Sequence, residues 1–256
     1  LGNDAVTAVY MGEDSGATVY AAGLNIGGTA ITSTAAELNL LAGVTALATS
    51  TNGLSDVLVE DNSIYVGNDP SSTTSTASYN VALGTTALDA ITTGDKNVAI
   101  GYGALTANTT GEQNTASGAY SLYSNTTGAQ NTASGRSSLN SNTTGANNAA
   151  SGFKSLYSNT NGYYNTASGC QSLFLNTGGG YNTASGNNSL YSNTGNFNTA
   201  SGAASLYSNT TGSNNTAFGY NAQASANNAT NQTMIGYNAT GQADNSVVLG
   251  NDAVTA

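Results

Sequence analysis

Histidine and tryptophan are missing from this sequence, and its 256 residues include one cysteine and one proline. Without imidazole there is no histidine-based triad, proton shuttle or metal site. Cys170 has no second cysteine to pair with. It follows the glycine Gly169 at a position held elsewhere by Ala, Arg, Phe or Asn, which marks an incidental thiol and not a nucleophile. With no disulfide, stability must come from stacking and from partner chains. Charge is scarce too: 3 Lys+Arg and 13 Asp+Glu give a net charge of −10, and charged residues are 6% of the chain. Such a surface lacks the basic footprint that nucleic acid requires. The acids are scattered and form no matched pair, so glycoside hydrolysis has no carboxylate candidates. Glu60, Asp61 and Asp69 are the nearest thing to a cation site, but they are better explained as solvated surface charge. No apolar run reaches 18 residues, so no transmembrane helix and no membrane insertion are expected. No catalytic residue, cofactor or metal is expected.

Gly, Asn, Ser, Thr and Ala make up most of what is present. Such a composition usually signals disorder, but here it comes from a strict repeat, N-T-A-S-G-x-x-S-L-Y-S-N-T-T-G-x-x. Gly84, Gly101, Gly118, Gly135, Gly152, Gly169, Gly186, Gly202, Gly219 and Gly236 follow one another at steps of 17, with one step of 16. Gly67 lies 17 before Gly84, and Gly250 lies 14 after Gly236. A fixed short period of this kind predicts an all-β parallel β-solenoid with coils of about 17 residues. The deletion falls between Asn193 and Asn198, beside Gly195. Solenoids absorb indels in turns, so N-T-T-G is a turn. Two short strands per coil are expected, Asn-Thr-Ala-Ser and Ser-Leu-Tyr-Ser, with the recurrent glycines at turns that need positive φ or close approach.

The rows that recur define candidate roles. Ala99, Ala116 and their equivalents, with Leu105, Leu122, Leu139, Leu156, Leu173, Leu190 and Leu206, form the expected core. Aromatics that follow the leucines, such as Tyr123, Tyr157 and Phe174, fall on the opposite face by strand alternation and would cover a subunit interface or stack outside. Asn108, Asn125, Asn142, Asn159, Asn176, Asn193 and Asn209 form one row, and Asn97, Asn114, Asn131 and their equivalents a second. Amides stacked at a repeat of about 4.8 Å can hydrogen-bond up the column. The rival reading is glycosylation, because Asn108, Asn125, Asn142, Asn209, Asn228, Asn231 and Asn238 open N-x-S/T sequons. Any contact surface should lie at variable turn positions, Phe153, Tyr163 and Tyr164 among them.

At Asn97-Val-Ala-Ile-Gly-Tyr-Gly-Ala-Leu the repeat resembles the head repeat of YadA-type trimeric autotransporter adhesins, a pattern shared by phage tail-fibre shafts. Asn80-Val-Ala-Leu-Gly, Met234-Ile-Gly-Tyr-Asn-Ala and Asn245-Ser-Val-Val-Leu-Gly match it, and the resemblance covers 62–256. It implies a left-handed β-roll, a homotrimer and an extracellular location on a cell surface or virion. The middle coils depart from it by their 17-residue length and by Thr115 and Ser117 where Val98 and Ile100 stand earlier. A second stretch, from Ile31 to Thr45, resembles a segment of trimeric tail-fibre-like proteins. There Thr34 and Glu37 form a capping box, a short helix runs through Leu41, and Gly43 suits its end. Leu38, Leu40 and Leu41 are too apolar for so short a helix to hide, and are expected to meet around a threefold axis.

The organisation expected is thus 1–29 as the end of a preceding module and a β neck, 30–61 as a short helical trimerisation segment and connector, and 62–256 as the roll. Leu1–Ala8 is identical to Leu249–Ala256, which points to a 248-residue module repeated in a longer chain. The function expected is a structural segment of a trimeric fibre that gives reach and stiffness, with the chain itself as partner and a cell-surface or glycan receptor as a further one. The alternatives are an ice-binding solenoid, suggested by the threonine row 115, 132, 166, 183, 199, 216, and a glycan-binding one. A polysaccharide-acting β-helix enzyme would need longer coils with irregular loops.

Overall fold

The structure is a computed structural model that describes residues 24–26, 29–31, 57–60, 62–67 and 76–251. Every element among the described residues is a strand. The chain forms two compact units, Leu1–Leu47 and Ala48–Ala256. In the first, β1 (Leu24–Ile26) and β2 (Thr29–Ile31) pair antiparallel, with Leu24 opposite Ile31. The helix expected at 34–41, with Leu38, Leu40 and Leu41, lies outside the described residues.

The second unit opens with an antiparallel hairpin of β3 (Val57–Glu60) and β4 (Ser63–Val66), closed by Asn62 at φ 60°. The sheet therefore starts at Val57, a few residues before the expected boundary at 62. From β4 onward every pairing is parallel. β5 (Val81–Leu83), β6 (Val98–Ile100), β7 (Thr115–Ser117), β8 (Thr132–Ser134), β9 (Ala149–Ser151) and β10 (Thr166–Ser168) follow in order. β11 (Thr183–Ser185), β12 (Thr199–Ser201), β13 (Thr216–Phe218), β14 (Thr233–Ile235) and β15 (Val247–Leu249) complete the sheet. This is the expected parallel β-solenoid. Its register is the repeat made physical, since Ala116 pairs with Ala133 and Ala133 with Ala150. The shortened coil keeps register, with Thr183 on Thr199, because its missing residue comes out of the N-T-T-G turn.

Each coil has one strand and not the two expected. The Ser-Leu-Tyr-Ser stretch is a chain of turns. Around one coil Gly118, Tyr120 and Leu122 have φ of 133°, 59° and 49°, and the pattern recurs in the coils on either side. Extended backbone needs negative φ, so the chain turns a corner there instead of running on as a strand. Neighbouring coils still hydrogen-bond across this corner, Leu122 N to Ser138 O at 3.0 Å and Ser124 N to Asn140 O at 3.0 Å. A left-handed leucine costs about 1–2 kcal/mol. Full burial of its side chain returns about 1.5–3 kcal/mol, enough to hold the conformation. Lys96 carries the same backbone cost at φ 59° while exposed, with no burial to offset it. Lys96→Gly is expected to stabilise the chain by about 0.5–1 kcal/mol, seen as a higher urea midpoint with an unchanged slope.

The interior is made of single-residue columns. Alanine fills the strand column, closed below by Tyr65 and above by Met234, both fully buried. The leucine column runs from Leu88 to Leu206. The core is narrow, and polar side chains form the rest of it.

Candidate functional site

Among the described residues no group of three or more His, Cys, Asp or Glu side chains comes together to hold a metal ion. Asp61 and Asp69 lie outside the described residues. Cys170 is half-exposed and free. The ordered chemistry of this molecule lies in its amide columns and its outer surface.

Both asparagine rows are buried. In the first, each side-chain amide donates to the Oδ1 of the coil before. Asn125 reaches Asn108, Asn142 reaches Asn125, and Asn159 reaches Asn142, each at 2.7 Å. The second amide proton goes to the turn carbonyl three residues on, Gly128 O at 2.9 Å for Asn125 and Gly145 O at 3.0 Å for Asn142. In the second row the backbone N of Asn131 donates to Asn114 Oδ1 at 3.0 Å, and its Nδ2 reaches Gly145 O at 2.8 Å. From Asn114 and Asn125 upward both protons of each amide are thus engaged within the core, as buried polar groups must be. The 16-residue coil re-routes one bond, so that Asn198 Nδ2 donates to Asn193 Oδ1 at 3.0 Å. Ile91 takes the ladder position below Asn108. Gln232 replaces asparagine at the top of the second row and turns its amide to Ser225 Oγ at 2.6 Å. The sequon asparagines Asn108, Asn125, Asn142 and Asn209 are therefore occupied in the core and closed to a glycan in the folded chain, whereas Asn228 and Asn231 are exposed.

Two glycine columns line the turns. A Cβ at Gly118 would stand 2.7 Å from the carbonyl carbon of Gly135 in the next coil, and one at Gly186 would stand 2.6 Å from Gly202 O. The backbones of successive coils approach too closely for any side chain. Gly84, Gly101, Gly135, Gly152, Gly169, Gly202, Gly219 and Gly236 share that positive φ.

The outer face of the sheet carries two rows, one on each side of the buried alanine. Both ends of the face are apolar: Val81, Leu83 and Ile100 at one, Phe218, Ile235, Val247 and Leu249 at the other, all exposed. Its middle is threonine and serine, with Thr115, Ser117, Thr132 and Ser134 exposed. None of the outward positions of β5 to β15 is charged.

Aromatic side chains form columns outside the turns. Tyr157, Phe174, Tyr191 and Tyr207 stack coil upon coil, with ring centroids 5.2, 5.0 and 5.0 Å apart. The leucine before each points inward because of its left-handed backbone, and the aromatic therefore faces out without any strand alternation. Lys154 Nζ sits 5.3 Å from the rings of both Phe153 and Tyr157. Tyr102, Tyr120 and Tyr123 form an edge-to-face cluster lower down. There, desolvation and then the neighbouring Tyr102 hydroxyl push the Tyr120 hydroxyl pKa upward. A second stack, Tyr164, Tyr181 and Phe197, has centroids 5.0 Å apart at each step, and Tyr163 lies edge-on beside it. Phe153, the pair Tyr163 and Tyr164, and Phe197 stand out in the sequence as variable turn positions. Tyr181 does not stand out in the same way, although aromatic residues at 164, 181 and 197 follow the coil period. No protein-family model matches the chain, and no curated protein or solved structure matches it either.

Proposed function

We propose that the chain is a structural segment of a trimeric extracellular fibre whose copies meet through the outer face of the sheet. The uncharged outer face of β5 to β15 carries this reading. A chain of net charge −10 that keeps every charge off one long face has kept that face for contact. In-register copies would set its apolar ends against each other and its Thr/Ser rows against each other. The motif resemblance at 97–105 and 245–250 supports the same arrangement. Reach and stiffness follow from coils that bond only to their neighbours, and attachment at the surface columns would gain from three copies.

Light scattering on the 256-residue chain should give about 76 kDa, three chains of 25.3 kDa. Ile100→Asp places a charge on the outer face, pointing away from the monomer's own core, and is expected to leave a folded single chain. A wild-type monomer would remove the fibre reading, and a trimeric Ile100→Asp variant would move the interface elsewhere.

The Thr/Ser rows also favour a second reading, because exposed hydroxyls repeat about 4.8 Å apart along the axis, a lattice suited to ordered water. The row breaks at Ala149, and the ends of the face are apolar, so contact between copies accounts for more of it. Absence of thermal hysteresis in a monomeric face variant and in the native chain alike would remove ice binding.

A further inference from the structure

We infer that Tyr163, Tyr164, Tyr181 and Phe197 form a binding site for a neutral saccharide. The position before each asparagine of the second row has left-handed backbone, with φ of 53° at Tyr164 and 58° at both Tyr181 and Phe197, and its side chain stands out in solvent. Below and above the stack the same position holds Asn147 and Asn214. The three rings lie nearly parallel, at 16° and 7°. They remain 51, 45 and 55% exposed.

Tyr163 gives the cluster its shape. Its ring stands at 77° to Tyr164 and 81° to Tyr181, making a corner with the stack. In the next coil the residue stacked on it is Gly180, and a Cβ added there would sit 3.3 Å from Tyr163 Cζ. The ring therefore rests on bare backbone, which holds it in place while 45% of the residue stays exposed. Large rings held in fixed positions lose little entropy when a ligand covers them.

A pyranose has an apolar C–H face and a rim of hydroxyls. The face suits a held aromatic ring, and the rim suits the amides of Asn147 and Asn214. The ligand should be uncharged, because no charged residue occurs between Lys154 and Asp244, and Lys154 is engaged with Phe153 and Tyr157. The cluster is complete on one chain and so does not rest on the trimer.

Native gels cast with soluble neutral polysaccharides (hydroxyethyl cellulose, galactomannan and dextran) test this, with alginate as the anionic contrast. The full chain should be retarded in at least one neutral gel, and the retardation should persist at high salt. Tyr163→Ser and Tyr181→Ser should each weaken binding about tenfold, while Phe153→Ser, at another turn, should keep it. Circular dichroism checks that the variants stay folded. No retardation in any neutral gel, or equal retardation of all variants, overturns the site. A Tyr181→Ser variant with altered mass in light scattering overturns it as well, because the rings would then be a contact between chains.

Discussion

Asn142→Ala is expected to be among the most damaging single substitutions in the solenoid, lowering stability by about 2–6 kcal/mol. The wild-type amide donates to Asn125 Oδ1 and Gly145 O, and its own Oδ1 accepts from Asn159 Nδ2 at 2.7 Å. Removing it leaves two fully buried groups short of a partner, Asn125 Oδ1 and one proton of Asn159 Nδ2, while Gly145 O keeps the bond from Asn131 Nδ2. Each orphaned group costs about 1–3 kcal/mol in a place water cannot reach. The loss should be local in origin, since coils couple only to their neighbours, and should split the unfolding transition at the middle of the stack. Chemical denaturation followed by circular dichroism reads both effects. Asn142→Asp sharpens the test. Facing Asn125 Oδ1 in the core, the new carboxyl is held protonated, so its folded pKa lies above the unfolded value of about 3.9. Below that value both states are protonated and the acid can donate where the amide did. As pH rises above it the unfolded chain ionises first, and stability falls. Asn142→Asp should therefore be far less stable at neutral pH than in acid, a dependence the alanine variant should not share. Equal losses at both pH values would mean that the column tolerates an unpaired charge and is not sealed from water.

Gly152→Ala should cost at least about 3 kcal/mol, for a different reason. Gly152 has φ 132°, a region in which side chains are rarely found. Its new Cβ would stand 2.6 Å from Gly169 O and 2.7 Å from the Gly169 carbonyl carbon. Both obstacles are backbone and cannot swing aside, so the two coils must separate. Amides that bridge them, such as Gly169 N bonded to Ser151 O at 2.8 Å, should lose their hydrogen-exchange protection. Gly103→Ala is the control. Its φ is 66°, its nearest obstacle is the Tyr120 side chain at 3.2 Å, and the substitution should cost only about 1 kcal/mol. Similar losses for the two would mean that the coils are not in close backbone contact at Gly152.

The coil period and register were legible in the sequence because every row of side chains repeats with the backbone that carries it. The buried asparagines were legible for the same reason, and the deletion beside Gly195 located the turn. The sign of φ was not. Leu122, Tyr120 and Gln130 all adopt left-handed backbone, yet none is a residue type that favours it. An inward leucine next to an outward tyrosine looks like strand alternation when only the order of residues is known. The aromatic corner was half legible. Tyr163 and Tyr164 stand out, but their partners are one and two coils away, at positions where other coils carry amides. Nothing in the Thr-Ala-Ser strands announced an uncharged outer face either. Its uncharged character emerges only when the outward residues of β5 to β15 are placed side by side.

The asparagine columns have a direction. In both rows the later coil donates and the earlier coil offers Oδ1, as Asn125 does to Asn108 and Asn131 to Asn114. In these columns a chain emerging from its N-terminal side would present side-chain acceptors already set in place, and each new turn would bring the protons to fill them. Ordering one coil at a time needs closure of loops of only about 17 residues, which is fast compared with synthesis. The two ends of the stack therefore differ chemically in their amide columns, with side-chain acceptors facing the later coils and side-chain donors facing the earlier ones.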